Sequence, residues 1–581
     1  MNIETDPSLG VGRKSASEIF EMLLNSRWVY IMLIIPAVLL YSRTLGYGFV
    51  NFDDNLVILN RESSGSYFQD ILSAFNSVYL SFYYRPLISV SIITDCLLGG
   101  NAPWIYHFTN LCIHLCVVGL LFYTLSNLKF TKHTAFIVSI IFSIHPLTVQ
   151  AESWILGRND LMVALFVLLS FNLFIKLLEN GKLLTLLFHL ITLLFALLSK
   201  ENAIGIVVVA LIYFRYEKKL PLKSVKSIQI YTGWFIVLAS WVIIRTVVLG
   251  AAIKSENPLT AFIFNLPLLL NVPAKIIFPV QLSPYGVYNL FLSMMGLACI
   301  IAGLLVMYIK KLKLIPVVIV GALWFLVFLV PSMFFRIDAY QHKFDYLECR
   351  TYLPLIGFSI LLSAAIERSK LIENNKLILG SIFISAVIIY SGLSNSYIPI
   401  YSNPITHWGA VTDKFPERAD GYGQIAWTKF MEGDYKTSIQ YYQKAIALFH
   451  DNADYHLNLS LAYHQLGYED EAVKSIMQNI KLKPRNPASY INLGVIAFAR
   501  NDTAMAINYW RTALAFDSTQ LPAMTSLAES YCDKNNLDSA LYYANKIISR
   551  GGTVSEAVIE KIAELKNERK ILQVHDEKKE L

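Results

Sequence analysis

Long apolar runs separated by short polar connections fill the first two thirds of the chain, and an evenly spaced amphipathic pattern fills the rest. A helix that crosses a bilayer needs about 20 predominantly apolar residues. Runs of this kind lie near 28–45, 104–126, 134–147, 160–178, 182–199, 201–214, 228–249, 288–309, 314–335, 351–366 and 376–394, so the pattern predicts about eleven spans. The stretch 261–281 is also apolar, but Pro267, Pro273 and Pro279 interrupt it and predict a re-entrant or interfacial segment.

From about residue 404 the apolar runs stop and a repeat begins. Gly433 and Gly467 are 34 residues apart, and Asn501 and Asn535 continue the series. Ser438, Ala472, Ala506 and Ala540 recur about one turn later, while Tyr422, His456, Tyr490 and Met524 keep the same phase. Gly or Asn suits a left-handed turn between two helices, and small residues let the helices touch. A 34-residue period of this kind is the signature of tetratricopeptide (TPR) repeats. Four units are predicted at about 419–452, 453–486, 487–520 and 521–554. The expected fold is all-α: a polytopic membrane helical bundle followed by a TPR α-solenoid. The expected divisions are an N-terminal segment 1–27, a transmembrane domain 28–403 with a large outer loop 46–103, a TPR domain 404–565 and a charged tail 566–581.

Composition agrees with a lipid-covered surface. Hydrophobic residues make up 55% and charged residues 16%, against about 25% charged in soluble domains. The net charge of +7 is small for 581 residues, and Lys and Arg cluster between apolar runs. That argues for membrane topology and against nucleic-acid binding. The six cysteines are scattered; Cys112 and Cys116, one turn apart in an apolar run, read as small core residues. Arg13, Lys14 and Arg27 precede the first run without a small-residue cleavage site, which predicts an uncleaved first span. With the N-terminus inside, the basic connections Lys129 and Lys132, Lys176 and Lys182, Arg215 to Lys226 (with Lys218, Lys219 and Lys223), Lys310 to Lys313 (with Lys311), and Arg368, Lys370 and Lys376 all fall on the inner side. An odd number of spans then puts the TPR domain outside.

The outer connections hold the acidic and mixed-charge residues, among them Asp345. In "GYGFVNFDDNLVILN", Asp53 and Asp54 follow the first span. Adjacent carboxylates can act as a general base or hold a metal ion, and an ordinary solvated loop or helix cap explains them equally well. Arg85, in an aromatic-rich interfacial stretch with Tyr83, Tyr84 and Trp104, can meet a lipid phosphate as a bidentate donor or simply snorkel. "SIHPLTVQAESWILGRNDLMVALF" gathers His145, Glu152, Arg158 and Asp160. Arg158 falls at the expected headgroup level, where it can balance a phosphate leaving group or pair with Asp160 at a helix start; His145 before Pro146 also suits a capping or packing role. Lys200 with Glu201, and Glu348 with Arg350, open two further spans. Four cations, Arg85, Arg158, Lys200 and Arg350, are thus expected on one face near the acidic pair, with His145, Glu152, Asp160 and Glu201 in support.

"FDDNLVILN", "YRPLISVS", "LLGGNAPWIYHFTNLCIH", "IHPLTVQAESWILGRNDLMVALFVLLSF", "LLSKENAI" and "CRTYLPLIGF" occur in the order found in transmembrane and TPR-containing proteins. These belong to the GT-C superfamily and are similar to protein O-mannosyltransferases. The resemblance covers about 28–550. It implies an inverting glycosyltransferase that uses a lipid-linked sugar, a polyprenyl or dolichyl phosphate sugar, and delivers it to Ser or Thr hydroxyls. It puts the catalytic carboxylate on Asp53 or Asp54 and the lipid-phosphate arginine on Arg158. No further cofactor and no metal ligands are predicted, although some GT-C enzymes use a divalent metal. The TPR surface is expected to hold a protein or glycan acceptor. The enzyme would sit in the inner membrane of a bacterium or the endoplasmic reticulum of a eukaryote, its TPRs periplasmic or lumenal. The family's mannosyl specificity does not fix the sugar here. The alternatives are a non-enzymatic membrane-anchored TPR scaffold for envelope assembly, in which the Asp pair is dispensable, and a transporter, for which Arg245 and Asp95 are the only hints.

Overall fold

A computed structural model describes residues 16–59, 65–80, 82–217, 224–250, 258–286, 288–309, 316–334, 346–369 and 375–580. Arg13, Lys14, Lys218, Lys219, Lys223, Lys310, Lys311, Lys313, Asp345 and Lys370 lie outside the described residues. Among the described residues the regular elements are helical, apart from one isolated antiparallel bridge between Tyr79 and Tyr83. The chain forms two compact units, Met1–Lys414 and Phe415–Leu581. The helix Pro404–Lys414, assigned to the TPR domain because the apolar runs stop at about 404, counts with the first unit.

Each expected span has a helix. They are Trp28–Tyr41, Pro103–Asn127, Lys132–Ser143, Arg158–Asn180, Leu183–Ser199, Gly205–Glu217, Val225–Leu249, Leu290–Ile309, Pro316–Leu329, Tyr352–Ser369 and Lys376–Tyr397. By length and apolarity, seven helices among the described residues can cross a membrane, or nine if two bent pairs each count as one span. The shortfall from about eleven lies in short helices such as Leu183–Ser199, whose 17 residues reach only about 25 Å, less than the hydrocarbon core of about 30 Å. The proline-broken stretch forms Pro258–Asn265 and Leu268–Ile277, bent by 42°.

Lipid gives apolar helices no reason to prefer each other over acyl chains, so polar bonds and close backbone contact join them. His114 donates from Nε2 to the Ser143 carbonyl (3.0 Å) and accepts at Nδ1 from the Tyr352 hydroxyl (2.7 Å), tying three spans together. His189 ties three others: its Nδ1 donates to the Ser170 carbonyl (3.0 Å) and its Nε2 accepts from the Trp234 indole (2.8 Å). Gly357 faces the Gly321 carbonyl so closely that an added Cβ would lie 2.7 Å from that oxygen.

The two ends of the bundle carry different polar contacts. At one end Glu367 accepts from Thr131 and Thr134, Lys132 donates to Asn25 (2.8 Å), and Lys226 donates to the Leu178 carbonyl (3.0 Å). At the other, the C-terminal ends of Trp28–Tyr41, Leu183–Ser199 and Lys376–Tyr397 meet the N-terminal ends of Arg158–Asn180 and Tyr352–Ser369 in one polar layer.

In the second unit eight helices pair as four repeats: Ala419–Met431 with Tyr435–Leu448, Ala453–Gln465 with Glu469–Leu482, Pro487–Ala499 with Thr503–Phe516, and Leu521–Asp533 with Leu537–Ser549. Glu556–Glu580 follows as a closing helix. The turn positions have the expected left-handed backbone, with φ of 80° at Gly433, 75° at Gly467, 62° at Asn501 and 53° at Asn535. Ser438, Ala472, Ala506 and Ala540 are fully buried. Asn501→Ala and Asn535→Ala, which lack a polar side chain to satisfy the turn locally, are expected to cost about 1 kcal/mol each, and the Gly variants to be neutral or stabilising. Chemical unfolding of the repeat unit, followed by tryptophan fluorescence, checks this.

Candidate functional site

The loop that follows the first span is held on a floor of aromatic side chains. The Gly48 amide donates to the Ser402 carbonyl (2.9 Å), and the Trp408 indole donates to the Val50 carbonyl (3.0 Å). Asn51 takes a left-handed φ of 54° and turns the chain, a conformation that Asn tolerates better than most residues. The Phe52 ring then packs on Trp154 (4.9 Å between centroids), Tyr285 (5.5 Å), Trp408 (5.7 Å) and His407 (5.9 Å). Burial drives His407 down to about 3, so its imidazole is neutral.

Phe52 fixes the two carboxylates beside it. The Asp53 carbonyl receives the amides of Leu56 (3.1 Å) and Val57 (3.2 Å) and opens a helical turn. Asp54 is buried, and its Oδ2 accepts from the Val50 amide (2.8 Å). Burial raises Asp54 to about 6, against the pull of the Val50 amide, the Trp154 side chain and the Asn51 amide. Asp53 is partly buried and rises further, to about 7, from burial and then from the Asp54 charge. Both carboxyls are thus raised toward neutral pH, which poises Asp53 as a base.

Tyr79 is buried within electrostatic range of Asp53 and of two of the cations. Burial lifts its hydroxyl to about 12; Asn159, Arg85 and Arg158 lower it and Asp53 raises it. Asp53, Arg85 and Arg158 therefore all lie within electrostatic reach of one phenol.

The expected cations have distinct surroundings. Arg158 is wholly buried: Nη1 meets Asp95 Oδ2 at 2.5 Å and Ser91 Oγ at 3.3 Å, Nε donates to Asn110 Oδ1 (2.8 Å), and Nη2 donates to the Tyr106 carbonyl (2.7 Å). Its donors are committed to protein partners, which corrects the expectation that it faces a headgroup phosphate. Its ion-pair partner is Asp95, whereas Asp160 pairs with Lys200 (2.6 Å). Arg350 joins that second cluster: Asp160, Lys200 and Arg350 all act on Cys349. Arg85 donates from Nε and Nη2 to the two oxygens of Glu201 (3.0 and 2.7 Å) and stacks 3.9 Å from the Tyr83 ring centre. Burial raises Glu201, but Arg85 more than reverses this and holds it at about 2.

Two expected supporting residues, His145 and Glu152, are both buried. His145 accepts from the Leu147 amide (3.1 Å) and donates to the Ile276 carbonyl (2.9 Å), so both ring nitrogens are used in joining segments. Glu152 is buried and accepts from the Ser153 hydroxyl (2.9 Å).

Three residues that hold the site were not assigned to it from the sequence. Asn110 donates to the Glu152, Trp154 and Ile155 carbonyls (3.1–3.2 Å) while accepting from Arg158, which fixes the turn that presents Trp154 to Phe52. Lys275, in the proline-broken stretch, pairs with Glu348 (2.7 Å). A charged residue amid Pro273 and Pro279 was the one signal for it. In the same turn as Trp154, a Cβ on Gly157 would lie 2.4 Å from the Ala151 carbonyl and 2.7 Å from that of Gln150. Gly157→Ala is therefore expected to shift the turn and cost about 1–3 kcal/mol, visible as a lower unfolding midpoint in detergent. Among the described residues no group of three or more His, Cys, Asp or Glu is placed to hold a metal ion.

Comparison with known proteins adds three findings. Models of the tetratricopeptide repeat match residues 429–467 and 453–486, so the second unit carries TPR repeats. The chain is also similar to Protein O-mannosyl-transferase tmtc2 of Xenopus laevis, at 31% identity over 153 residues, 24% of this chain and 17% of the relative. Human Protein O-mannosyl-transferase TMTC2 is 36% identical over 93 residues, 16% of this chain and 11% of the relative. These matches span less than a fifth of those relatives' length. Among solved structures, ArnT from Cupriavidus metallidurans bound to undecaprenyl phosphate aligns over 79% of this chain and 80% of its own, at 13% identity and a TM-score of 0.35.

Proposed function

We propose that this chain is a membrane glycosyltransferase of the O-mannosyltransferase kind, which takes a sugar from a polyprenyl-phosphate carrier and delivers it to a hydroxyl of a protein or glycan. The observation that carries the reading is that Asp53, Arg85 and Arg158 all lie within electrostatic range of buried Tyr79, with Lys200 paired to Asp160 two residues from Arg158 and Arg350 acting in the same cluster. Similarity to the O-mannosyltransferases supports the class of reaction.

In the proposed step Asp53 accepts the proton of the acceptor hydroxyl as the oxygen attacks the anomeric carbon from the face opposite the phosphate. The bond from that carbon to the phosphate oxygen breaks, and the electron pair leaves with the polyprenyl phosphate. Arg85 balances the departing charge, with Lys200 and Arg350 in the neighbouring cluster. Asp54 holds the loop and tunes Asp53. Arg158 is the positioning residue beneath them. The TPR unit holds the acceptor chain, as helical-repeat arrays hold extended ligands, and the active end faces the periplasm or the lumen.

The test uses the full chain in lipid nanodiscs, with radiolabelled polyprenyl-phosphate mannose and, in parallel, other polyprenyl-phosphate hexoses, and with Ser/Thr-rich peptides and envelope glycans as acceptors. Transfer from one donor supports the reading. Absence of transfer from all of them, with the protein folded, overturns it.

A further inference from the structure

We propose that Glu201 is a placeholder for phosphate: its carboxylate occupies the Arg85 guanidinium while the site is empty and yields it to a phosphate-bearing ligand. The inference rests on the transferase reading only in naming a polyprenyl phosphate as that ligand.

A guanidinium taken out of water without a counter-anion is strongly unfavourable. Arg85 is in that position, with 7% of its side chain exposed and one face stacked on Tyr83. Some anion must sit on it in every stable state of the protein. The fork that grips Glu201 through Nε and Nη2 is the one that grips two oxygens of a phosphate, because carboxylate and phosphate present oxygens at similar spacing.

The other buried cations of this end cannot exchange partners in this way. Asp95 on Arg158 is 3% exposed, Asp160 on Lys200 is 4% and Glu348 on Lys275 is 2%. Each would become a bare buried carboxylate if its cation were taken. Glu201 is 37% exposed and begins a short 3₁₀ turn, Glu201–Ile204, between two helices. Its carboxylate can move into water with little desolvation cost, leaving the guanidinium to the incoming anion. Arg85 also acts on Tyr79 together with Asp53, so an anion that replaces Glu201 binds a cation that shares a buried phenol's surroundings with Asp53.

The experiment measures binding without turnover. Full-length wild type, Glu201→Gln and Arg85→Gln in nanodiscs are titrated with a polyprenyl monophosphate and, in a separate arm, with inorganic phosphate, by ligand-induced shift of the unfolding midpoint. Glu201→Gln keeps the shape and removes the competing charge. It is expected to bind about tenfold more tightly, and Arg85→Gln at least tenfold more weakly. Should Glu201→Gln not fold, Glu201→Asp, whose shorter side chain loosens the fork, is expected to give an intermediate gain. Tightening in the lipid arm alone assigns the occupant to the carrier; equal tightening in both assigns it to the phosphate group whatever its tail. Glu201→Gln affinity equal to or below wild type in both arms overturns the proposal. Absence of sugar transfer with the affinity gain intact would sink only the transferase reading, and intact transfer with unchanged affinities would sink only this one.

Discussion

Asp53→Asn is expected to lower sugar transfer by about 10²–10⁴-fold and, at pH 8, to raise the unfolding midpoint. Both effects have one cause. The folded protein lifts Asp53 from 3.8 to about 7 through burial and the Asp54 charge. Between those values the folded state keeps a proton that the unfolded state has released, so stability falls as pH rises toward 7. Above 7 the folded protein holds a partly desolvated charge beside a second carboxylate. Asparagine keeps the shape and removes that charge, so the stability gain should be present at pH 8 and fade by pH 4. The same ionisation makes the wild-type carboxylate a base, so transfer should rise with pH to a plateau just above 7 and fall tenfold per unit below it. Asp54→Asn removes the charge that raises Asp53 and should move this limb to lower pH, with activity retained in part. Rates from pH 5 to 9, with melting curves at each pH, check both signs. An Asp53→Asn protein that transfers sugar at the wild-type rate would rule out the general-base role.

The elements legible in the sequence are those whose signal is local or periodic. Gly433, Gly467, Asn501 and Asn535 fall at the same point of every repeat, and each has the left-handed backbone that its residue type favours. Asp53 and Asp54 are legible as a pair because adjacent carboxylates just beyond an apolar run are a local pattern, although a solvated loop or helix cap accounts for such a pair equally well. Partner choice was not legible. Arg158 has Asp160 two residues away, yet its partner is Asp95, on another helix. Residues two apart on a helix do not share a face, so this local pair was open to competition from across the bundle. Arg158 was also placed at the headgroup level because it starts a helix. That start is covered by the Trp154 turn, which Asn110 clamps. Span length misled in a similar way: short helices such as Leu183–Ser199 occupy expected span positions without the length of a full crossing.

The burial of Arg158 makes its substitution the most damaging change at this end of the bundle. Arg158→Met leaves Asp95 as an unpaired buried carboxylate and also strips partners from Asn110 Oδ1 and the Tyr106 carbonyl. Removing one member of a buried pair costs about 3–5 kcal/mol, enough to unfold many proteins. Arg158→Lys keeps a charge for Asp95 but cannot reach three directions at once with the same planar geometry. It should fold, with the Trp154 turn loosened and transfer reduced. Asp95→Asn combined with Arg158→Gln removes both charges and is expected to recover much of the stability lost in Arg158→Met. These outcomes separate a positioning arginine from one that touches phosphate. A positioning role predicts that Arg158→Lys lowers the turnover rate with little change in donor KM, because the carboxylate loop shifts while Arg85 and its Glu201 partner stay as they are. A direct phosphate contact predicts a raised donor KM, and steady-state kinetics with varied polyprenyl-phosphate sugar distinguishes the two.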